Sequence, residues 1–252
     1  MDKILYKKEL SVAEIIINDP PYNVINITMM ENIADAVRKA GNDDEISIIV
    51  IGAAGDKSFC SGVDVADHTK EKTPRMLKAF SDIFVELSKT DKLTVAAARG
   101  FAFGGGCELL LGTDLVVADD TLKVGQPEIK LGVFPPVAMI LMPEIIGLRN
   151  AKELIFSGKT IDAETARQMG LVNEIFAKEE FDKSLKKYIA RFAGLSRSVL
   201  RLTKRTLTKK EHLEESFKEM NDIYIEKLMN LCDANEGISA FIEKRKPAWK
   251  HS

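Results

Sequence analysis

Two glutamates, Glu108 and Glu128, lie in segments of the sequence that are marked by glycine. Glu108 comes shortly after a glycine run at 104–106, and Glu128 ends the segment 125–128, which begins with glycine. Two carboxyl groups that share one apolar cleft supply a proton acceptor and a proton donor. The pair therefore predicts acid–base chemistry, such as adding or removing water next to a carbonyl group.

The glycine run at 104–106 stands between a predicted strand, 94–98, and a predicted helix, 106–111. The first turn of a helix carries unpaired N–H groups, and glycine allows a ligand oxygen to approach them closely. The run therefore predicts donors for a developing negative oxygen. A tight strand-to-helix turn without a ligand is the alternative. A dinucleotide-binding GxGxxG motif does not fit, because the helix begins with Cys-Glu and has no third glycine at that spacing.

Apolar residues flank both glutamates. Around Glu108 they stand at 101, 103 and 109–111, and around Glu128 at 129, 131, 133 and 134. Burial among such residues raises the pKa of a carboxyl group toward the pH at which it must transfer a proton. The competing interpretations are compensation of a helix dipole for Glu108 and a surface turn for Glu128.

Strands and helices alternate in the segments that must position these groups. This order predicts an α/β core over 1–195, followed by an all-helical region over 196–252. The predicted strands are 12–18, 47–51, 94–98 and 115–118. One predicted helix has Thr28 as its N-cap, and a second runs from Pro74 to Leu87. A third is capped by Asp162 and ends at Gly170, and two long helices cover 181–195 and 197–231.

Composition narrows the class of protein. The chain has 252 residues and a net charge of −2, which does not favour nucleic acid as a partner, and it lacks an apolar run that could span a membrane. Three widely spaced cysteines without a CxxC pair argue against disulfides and zinc. The N-terminus does not have the pattern of a signal peptide. We therefore expect a cytoplasmic protein without a bound metal.

A third segment, 58–64, contains Gly62, which marks a turn and can present the Val63 N–H to a cleft. The segments 59–64, 100–109 and 125–132, with the tail 236–249, resemble the enoyl-CoA hydratase/isomerase (crotonase) family. The likeness runs from Ile15 to Trp249 with the motifs in the family's order and spacing. It implies a spiral of ββα repeats, with a C-terminal α-helical region that assembles trimers, which often pair into hexamers.

The resemblance also implies a reaction and a site. The substrate is a CoA thioester, and neither a metal nor a redox cofactor is used. The backbone N–H groups of Val63 and Gly105 match the oxyanion hole, and Glu108 and Glu128 match the two catalytic acids. The division of labour between the two glutamates stays open. Substrate-binding positions are implied at Gly62, Gly104, Pro135 and Val137.

One stretch departs from the usual hydratases for straight-chain substrates. Residues 134–143 are bulky and apolar where those hydratases are rich in glycine. This stretch, with 20–24 and 63–68, is similar to hydratases of cyclohexa-1,5-diene-1-carbonyl-CoA, which act in anaerobic benzoate breakdown. The alternatives are a general straight-chain enoyl-CoA hydratase or isomerase, and a non-catalytic member of the family that binds RNA or a partner protein.

Other reactive residue types have simpler interpretations. His68 lies among polar residues and is predicted to be on the surface. Cys107 has no histidine near it in sequence, so we interpret it as a small buried thiol. The basic residues 244–246 are typical of a solvated helix end. Phe241 and Trp249 are interpreted as packing residues of the terminal helix.

Overall fold

Strands and helices alternate through most of the chain in the computed structural model, which describes residues 2–207 and 212–251. The strands are β1 (Ile4–Glu9), β2 (Val12–Ile17), β3 (Ile48–Ala53), β4 (Ser58–Cys60), β5 (Leu93–Ala98), β6 (Phe101–Phe103), β7 (Leu115–Asp119), β8 (Lys123–Gly125), β9 (Thr160–Asp162) and β10 (Glu174–Phe176). The helices are α1 (Ile27–Gly41), α2 (Thr73–Lys89), α3 (Gly105–Leu111), α4 (Pro136–Ile146), α5 (Leu148–Ser157), α6 (Ala163–Gln168), α7 (Phe181–Ala193), α8 (Arg197–Leu207), α9 (Leu213–Glu226) and α10 (Cys232–Ile242).

A strand–strand–helix unit repeats three times along the chain. The units are β3–β4–α2, β5–β6–α3 and β7–β8–α4. In each unit the first strand joins a six-stranded sheet of order β1-β2-β3-β5-β7-β10, and the second strand joins a four-stranded sheet of order β4-β6-β8-β9. The predicted α/β spiral of ββα repeats is thereby confirmed. Because the units are stacked, the ends of β4, β6 and β8 lie next to one another.

The central strands β3, β5 and β7 of the larger sheet are buried on both faces, as the continuous apolar runs predict. Alternate residues of β3 enter different cores: Ile49 and Ile51 belong to the main cluster, whereas Ile48 and Val50 pack into a second cluster under α7. Apart from the antiparallel pair β1–β2, the strands of this sheet are parallel. In a parallel sheet the strand ends that lead into the loops lie at one edge, so the motifs that follow these strands are brought together.

The predicted N-cap of the first helix is wrong. Helix α1 begins two residues earlier in sequence, and its cap is Asn26, not Thr28: the Asn26 Oδ1 accepts a hydrogen bond of 3.0 Å from the Met29 N–H. Asparagine and threonine are both preferred N-cap residues, so N-cap propensity alone does not distinguish Asn26 from Thr28. The cap predicted at Asp162 is confirmed, since its Oδ1 accepts from the Thr165 N–H at 2.9 Å.

The single long helix predicted over 197–231 is also wrong. Helix α8 ends at Leu207, and α9 begins only after His212, whose φ of +75° no continuous right-handed helix accommodates. Positions 208–211 of the predicted helix lie outside the described residues. A 3₁₀ turn at Leu228–Asn230 then separates α9 from α10. Because the helix is interrupted, α9 packs against α2 and α4 of the preceding core.

The described helices are all too short or too polar to cross a membrane.

Candidate active site

A cavity of about 310 Å³ opens where the ends of the small-sheet strands meet α2, α4 and α9. Its lining is mainly apolar and aromatic, with the two glutamates among a few polar groups. Seven of the eight residues predicted for the site line it: Gly62, Val63, Gly104, Gly105, Glu108, Glu128 and Pro135. The eighth, Val137, is buried and is not part of the lining. The fold therefore brings together residues that are up to 73 positions apart, counting from Gly62 to Pro135.

The Val63 N–H points away from the strand beside it. Ile25 forms a bridge to this segment in which its N–H donates to the Gly62 carbonyl at 3.0 Å and its carbonyl accepts from the Asp64 N–H at 2.9 Å. Because neighbouring residues of an extended segment direct their backbone groups to opposite sides, the Val63 N–H is not used by this bridge. It is directed to the opposite side, where α3 begins.

Gly105 supplies the second backbone donor. As the first residue of α3, it has an N–H that no carbonyl within the helix accepts. A Cβ on Gly105 would lie 3.0 Å from the Val63 Cγ2, so the two residues are in contact. The glycine run is required for this approach, since a Cβ on Gly106 would lie only 2.0 Å from the Cys60 carbonyl oxygen. Val63 and Gly105 thus place two neighbouring backbone N–H groups among the residues that line the cavity.

Glu108 is held at the N-terminus of α4. It is 2% exposed, and its Oε1 accepts hydrogen bonds of 2.8 Å from the N–H groups of both Val137 and Ala138. Pro135 and Pro136 have no N–H, so these are the first donors that the helix offers. Burial raises the pKa of Glu108 to about 7, while the two backbone hydrogen bonds oppose that shift. They favour the ionised form.

Val137 therefore contributes to the site through its backbone N–H, whereas the family resemblance implies that it binds substrate. Its side chain is buried, and its N–H is used to hold Glu108. The sequence-based expectation was that it lines the cavity. The difference arises because Val137 lies in the first turn of α4, where backbone N–H groups point outward from the helix end while the side chain packs inward.

Glu128 lies on a short 3₁₀ helix, Pro127–Leu131, directly over the glycine run. A Cβ on Gly104 would lie 2.4 Å from the Glu128 Oε1, and Gly104 has a φ of +52° that also favours glycine. The side-chain amide of the buried Gln126 lies 3.2 and 3.0 Å from the two carboxyl oxygens of Glu128. The carboxyl group therefore has a defined position between Gly104 and Gln126.

The two carboxyl groups influence one another. The cavity leaves part of Glu128 open, yet protein surrounds its carboxyl group, and this burial raises the pKa of Glu128 well above its usual value. The charge of Glu108 raises the pKa of Glu128 further. Since two buried like charges repel each other, the pair retains one proton near neutral pH. Backbone N–H groups stabilise the carboxylate of Glu108, so the pKa of Glu128 is raised further and Glu128 is the group that keeps its proton to higher pH.

Three residues of the site were missed or misjudged from the sequence. His68 is not a surface residue: it lines the cavity, its Nδ1 lies 3.2 Å from the Asp64 carbonyl oxygen, and burial lowers its pKa. Gln126 was not singled out, although it lies two positions from Glu128. Tyr224 was also missed, because only the packing of α9 on the core brings it to the cavity.

The sequence also singled out Cys107, Trp249 and Phe241. Cys107 is a buried thiol whose pKa is raised by burial, as its interpretation requires. Trp249 packs beside Gly132 and Gly237, as predicted. Phe241 instead lines the cavity and is 53% exposed, so its interpretation as a packing residue is wrong. Among residues 2–207 and 212–251, no cluster of three His, Cys, Asp or Glu side chains is arranged to hold a metal ion.

Replacing Gly104 with alanine is expected to lower kcat by about 10- to 100-fold, because the new Cβ displaces the Glu128 carboxyl group. Gly147→Ala is the matched control. Gly147 also has a positive φ, +79°, but a Cβ there meets no atom within 4 Å. Both variants should lose thermal stability because of the positive φ, and Gly104→Ala should lose more because its Cβ also meets Glu128, as calorimetry would measure. Equal kcat values for the two would contradict the placement of Glu128.

Both the sequence and the fold are similar to those of known proteins. The enoyl-CoA hydratase/isomerase family model matches residues 7–252. A crotonyl-CoA hydratase of Syntrophomonas wolfei subsp. wolfei is 32% identical over 97% of this chain and 96% of its own length. A cyclohexa-1,5-dienecarbonyl-CoA hydratase of Thauera aromatica is 28% identical over 99% of this chain and 96% of its own.

A solved enoyl-CoA hydratase of Bacillus halodurans superimposes with a TM-score of 0.89, covering 95% of this chain and 100% of that one. At 22% identity this similarity shows only that the two proteins share a fold. The family model covers nearly the whole chain, and the curated relatives align from end to end with it. The chain belongs to the enoyl-CoA hydratase/isomerase family.

Proposed function

We propose that this protein is a hydro-lyase that adds water to a carbon–carbon double bond conjugated to a CoA thioester. The observation that carries the proposal is the convergence of Glu108 and Glu128 on one apolar cavity beside two outward-facing backbone N–H groups. Hydration needs a group that takes a proton from water, a group that gives one to carbon, and donors for the enolate oxygen. The cavity contains all three.

The N–H groups of Val63 and Gly105 are the proposed oxyanion hole. The negative charge that develops on the thioester oxygen needs donors that are already in position, each contributing about 3 kcal/mol to transition-state stabilisation. The N-terminus of α3 adds the positive end of its dipole, although the helix is short. The apolar lining strengthens these interactions, because it excludes water from the reacting atoms.

The pKa of Glu128 is raised further than that of Glu108, and this difference favours one assignment of roles. Glu108, ionised and held by two backbone N–H groups, takes a proton from the attacking water. Glu128, whose pKa is raised by burial and by the charge of Glu108, gives its proton to carbon. Afterwards the proton from water resides on Glu108 and Glu128 is ionised, so a proton must pass back through solvent or the product before the next turnover.

For the substrate, we propose the cyclic thioester cyclohexa-1,5-diene-1-carbonyl-CoA. Helix α4 begins at Pro136 and is preceded by Pro135, and the rings of Phe134 and Tyr224 pack edge to face with centroids 5.1 Å apart. A cavity of about 310 Å³ is at the low end for a ligand site and suits a compact acyl group. The similarity to the Thauera aromatica protein supports the same substrate class.

The reaction on this thioester follows from the conjugated ring. Water adds its oxygen to the ring carbon β to the thioester and gives a proton to Glu108. The electron pair of the double bond moves into a dienolate, whose oxygen the Val63 and Gly105 N–H groups bind. The proton of Glu128 then forms a C–H bond at the far end of the dienolate. The product is 6-hydroxycyclohex-1-ene-1-carbonyl-CoA, the substrate plus one water molecule.

Hydration of a straight-chain enoyl-CoA is the second candidate. It is favoured by the higher identity, 32%, to the crotonyl-CoA hydratase of Syntrophomonas wolfei. The same groups would act, with the proton delivered to the carbon next to the thioester. The two candidates differ in where Glu128 delivers its proton, and in whether a flat ring or an extended chain fills the cavity.

A substrate comparison tests the proposal. We expect kcat/KM for cyclohexa-1,5-diene-1-carbonyl-CoA to exceed that for crotonyl-CoA by at least about 10-fold, the discrimination that shape alone gives in an apolar pocket. Products are identified by their mass gain of one water. A preference for crotonyl-CoA would replace the cyclic assignment with the straight-chain one. No turnover of either thioester would refute hydratase function.

We further propose that the reaction uses no metal or redox cofactor, that the protein is cytoplasmic, and that its C-terminal helical region assembles a trimer or a dimer of trimers. The proposed steps require only the thioester, water and groups of this chain. Turnover that survives dialysis against a chelator is the expected result for the first point. Light scattering of the purified chain measures the third point, whether the chain forms a trimer or a dimer of trimers.

A further inference from the structure

Tyr224 is a buried tyrosine at the cavity that the proposed steps above do not use. It lies on α9, is 1% exposed, and lines the cavity that contains both glutamates. Its ring is fixed by the edge-to-face contact with Phe134, and α9 itself is fixed because it packs on α2 and α4. The phenol is therefore a rigid group at a defined place in the site.

The Tyr224 hydroxyl makes no hydrogen bond to any described residue, although the ring is enclosed. Buried hydroxyl groups normally find a partner, because leaving one unpaired costs the free energy of its lost hydration. The hydroxyl is not among the fully enclosed unpaired atoms, so it opens onto the cavity. Its partner is therefore expected to be a molecule that occupies the cavity.

The lining of the cavity indicates what surrounds this partner. Tyr224 shares the cavity with Glu108 and Glu128. Burial raises the pKa of Tyr224, so its hydroxyl stays protonated as a donor. The oxygen that enters during hydration is bonded to the carbon beside these carboxyl groups.

Building on the proposed hydration, we propose that the Tyr224 hydroxyl hydrogen-bonds the oxygen atom that water adds to the substrate, and so recognises the hydroxyacyl thioester. The contact exists only when the hydroxyl oxygen is present. It therefore discriminates a hydroxyacyl thioester from the same thioester without the hydroxyl group.

Tyr224→Phe tests this inference, because it removes one oxygen and keeps the ring. Dissociation constants are measured by calorimetry for 6-hydroxycyclohex-1-ene-1-carbonyl-CoA and for cyclohex-1-ene-1-carbonyl-CoA, which lacks the hydroxyl. The pair 3-hydroxybutyryl-CoA and butyryl-CoA is measured in parallel. We expect the variant to bind the hydroxylated member about 10-fold more weakly, and the other member within about 2-fold of wild type, as the loss of one hydrogen bond predicts.

Tyr188→Phe is the matched control, since Tyr188 is a buried tyrosine of α7 outside the cavity lining. It should change neither affinity. An equal loss for both members of a pair in Tyr224→Phe, or no loss, would overturn the inference. If the wild type binds only the straight-chain pair, the cyclic assignment fails while that pair still decides the role of Tyr224. If it binds neither pair, the proposed function and this inference both fail.

Discussion

Glu108→Gln is expected to lower kcat for hydration by about 10³-fold, within the range for loss of a general base. The glutamine oxygen can still accept the hydrogen bonds that Val137 and Ala138 donate to Glu108, so the site should keep its shape. An amide cannot take a proton from water at neutral pH. KM should therefore change little, which steady-state kinetics on the preferred thioester measures.

Glu144→Gln is the control for this variant, since Glu144 is an exposed residue of α4, the helix that holds Glu108. Its kcat should equal that of the wild type. Removing the charge of Glu108 should also lower the pKa of Glu128, because that charge raises it. The residual activity of Glu108→Gln should then fall at a lower pH than in the wild type. Turnover within 10-fold of wild type would exclude Glu108 as the base.

Glu128→Gln is expected to lower kcat by about 10²- to 10³-fold, because the amide has no acidic proton to give to carbon. In this variant the pH dependence of kcat should change only on its high-pH side. Activity should still rise through about pH 7, the pKa of Glu108, since glutamine is uncharged like the protonated acid that it replaces. The fall at high pH should disappear, because the group that loses its proton there is gone.

The same variant should be more stable than the wild type at alkaline pH. The pKa of Glu128 is raised in the folded protein, so the stability associated with its proton is full below the unfolded value and is lost as the pH rises toward the folded value. Glutamine has no such loss. The advantage of Glu128→Gln in melting temperature should therefore grow from pH 5 to pH 8. A constant or shrinking advantage would contradict the burial of an ionisable Glu128.

Much of the core could be predicted because its signals are local. The continuous apolar runs of β3 and β5 and the glycine run before α3 each determine their own conformation. Glu108 and Glu128 were found for the same reason, since the glycines beside them are needed for close backbone approach. A Cβ on Gly106 would meet the Cys60 carbonyl, and a Cβ on Gly104 would meet Glu128.

The rest depends on contacts between distant segments. His68 has polar neighbours in sequence, yet the fold places its ring in the cavity wall. Tyr224 is 96 positions from Glu128, and nothing near it in sequence marks it for the site. Asn26 and Thr28 are both good N-caps, and packing selects between them. The interruption of the predicted helix 197–231 is likewise fixed by the docking of α9 on the core.

The pH dependence of kcat/KM for the wild type tests the central claim, that two buried carboxyl groups share one proton which Glu128 holds. This ratio reports the essential acid and base of the free enzyme. We expect it to rise through about pH 7 as Glu108 ionises, and to fall at higher pH as Glu128 loses its proton. A ratio that stays constant or decreases as the pH rises through 7 would contradict the account.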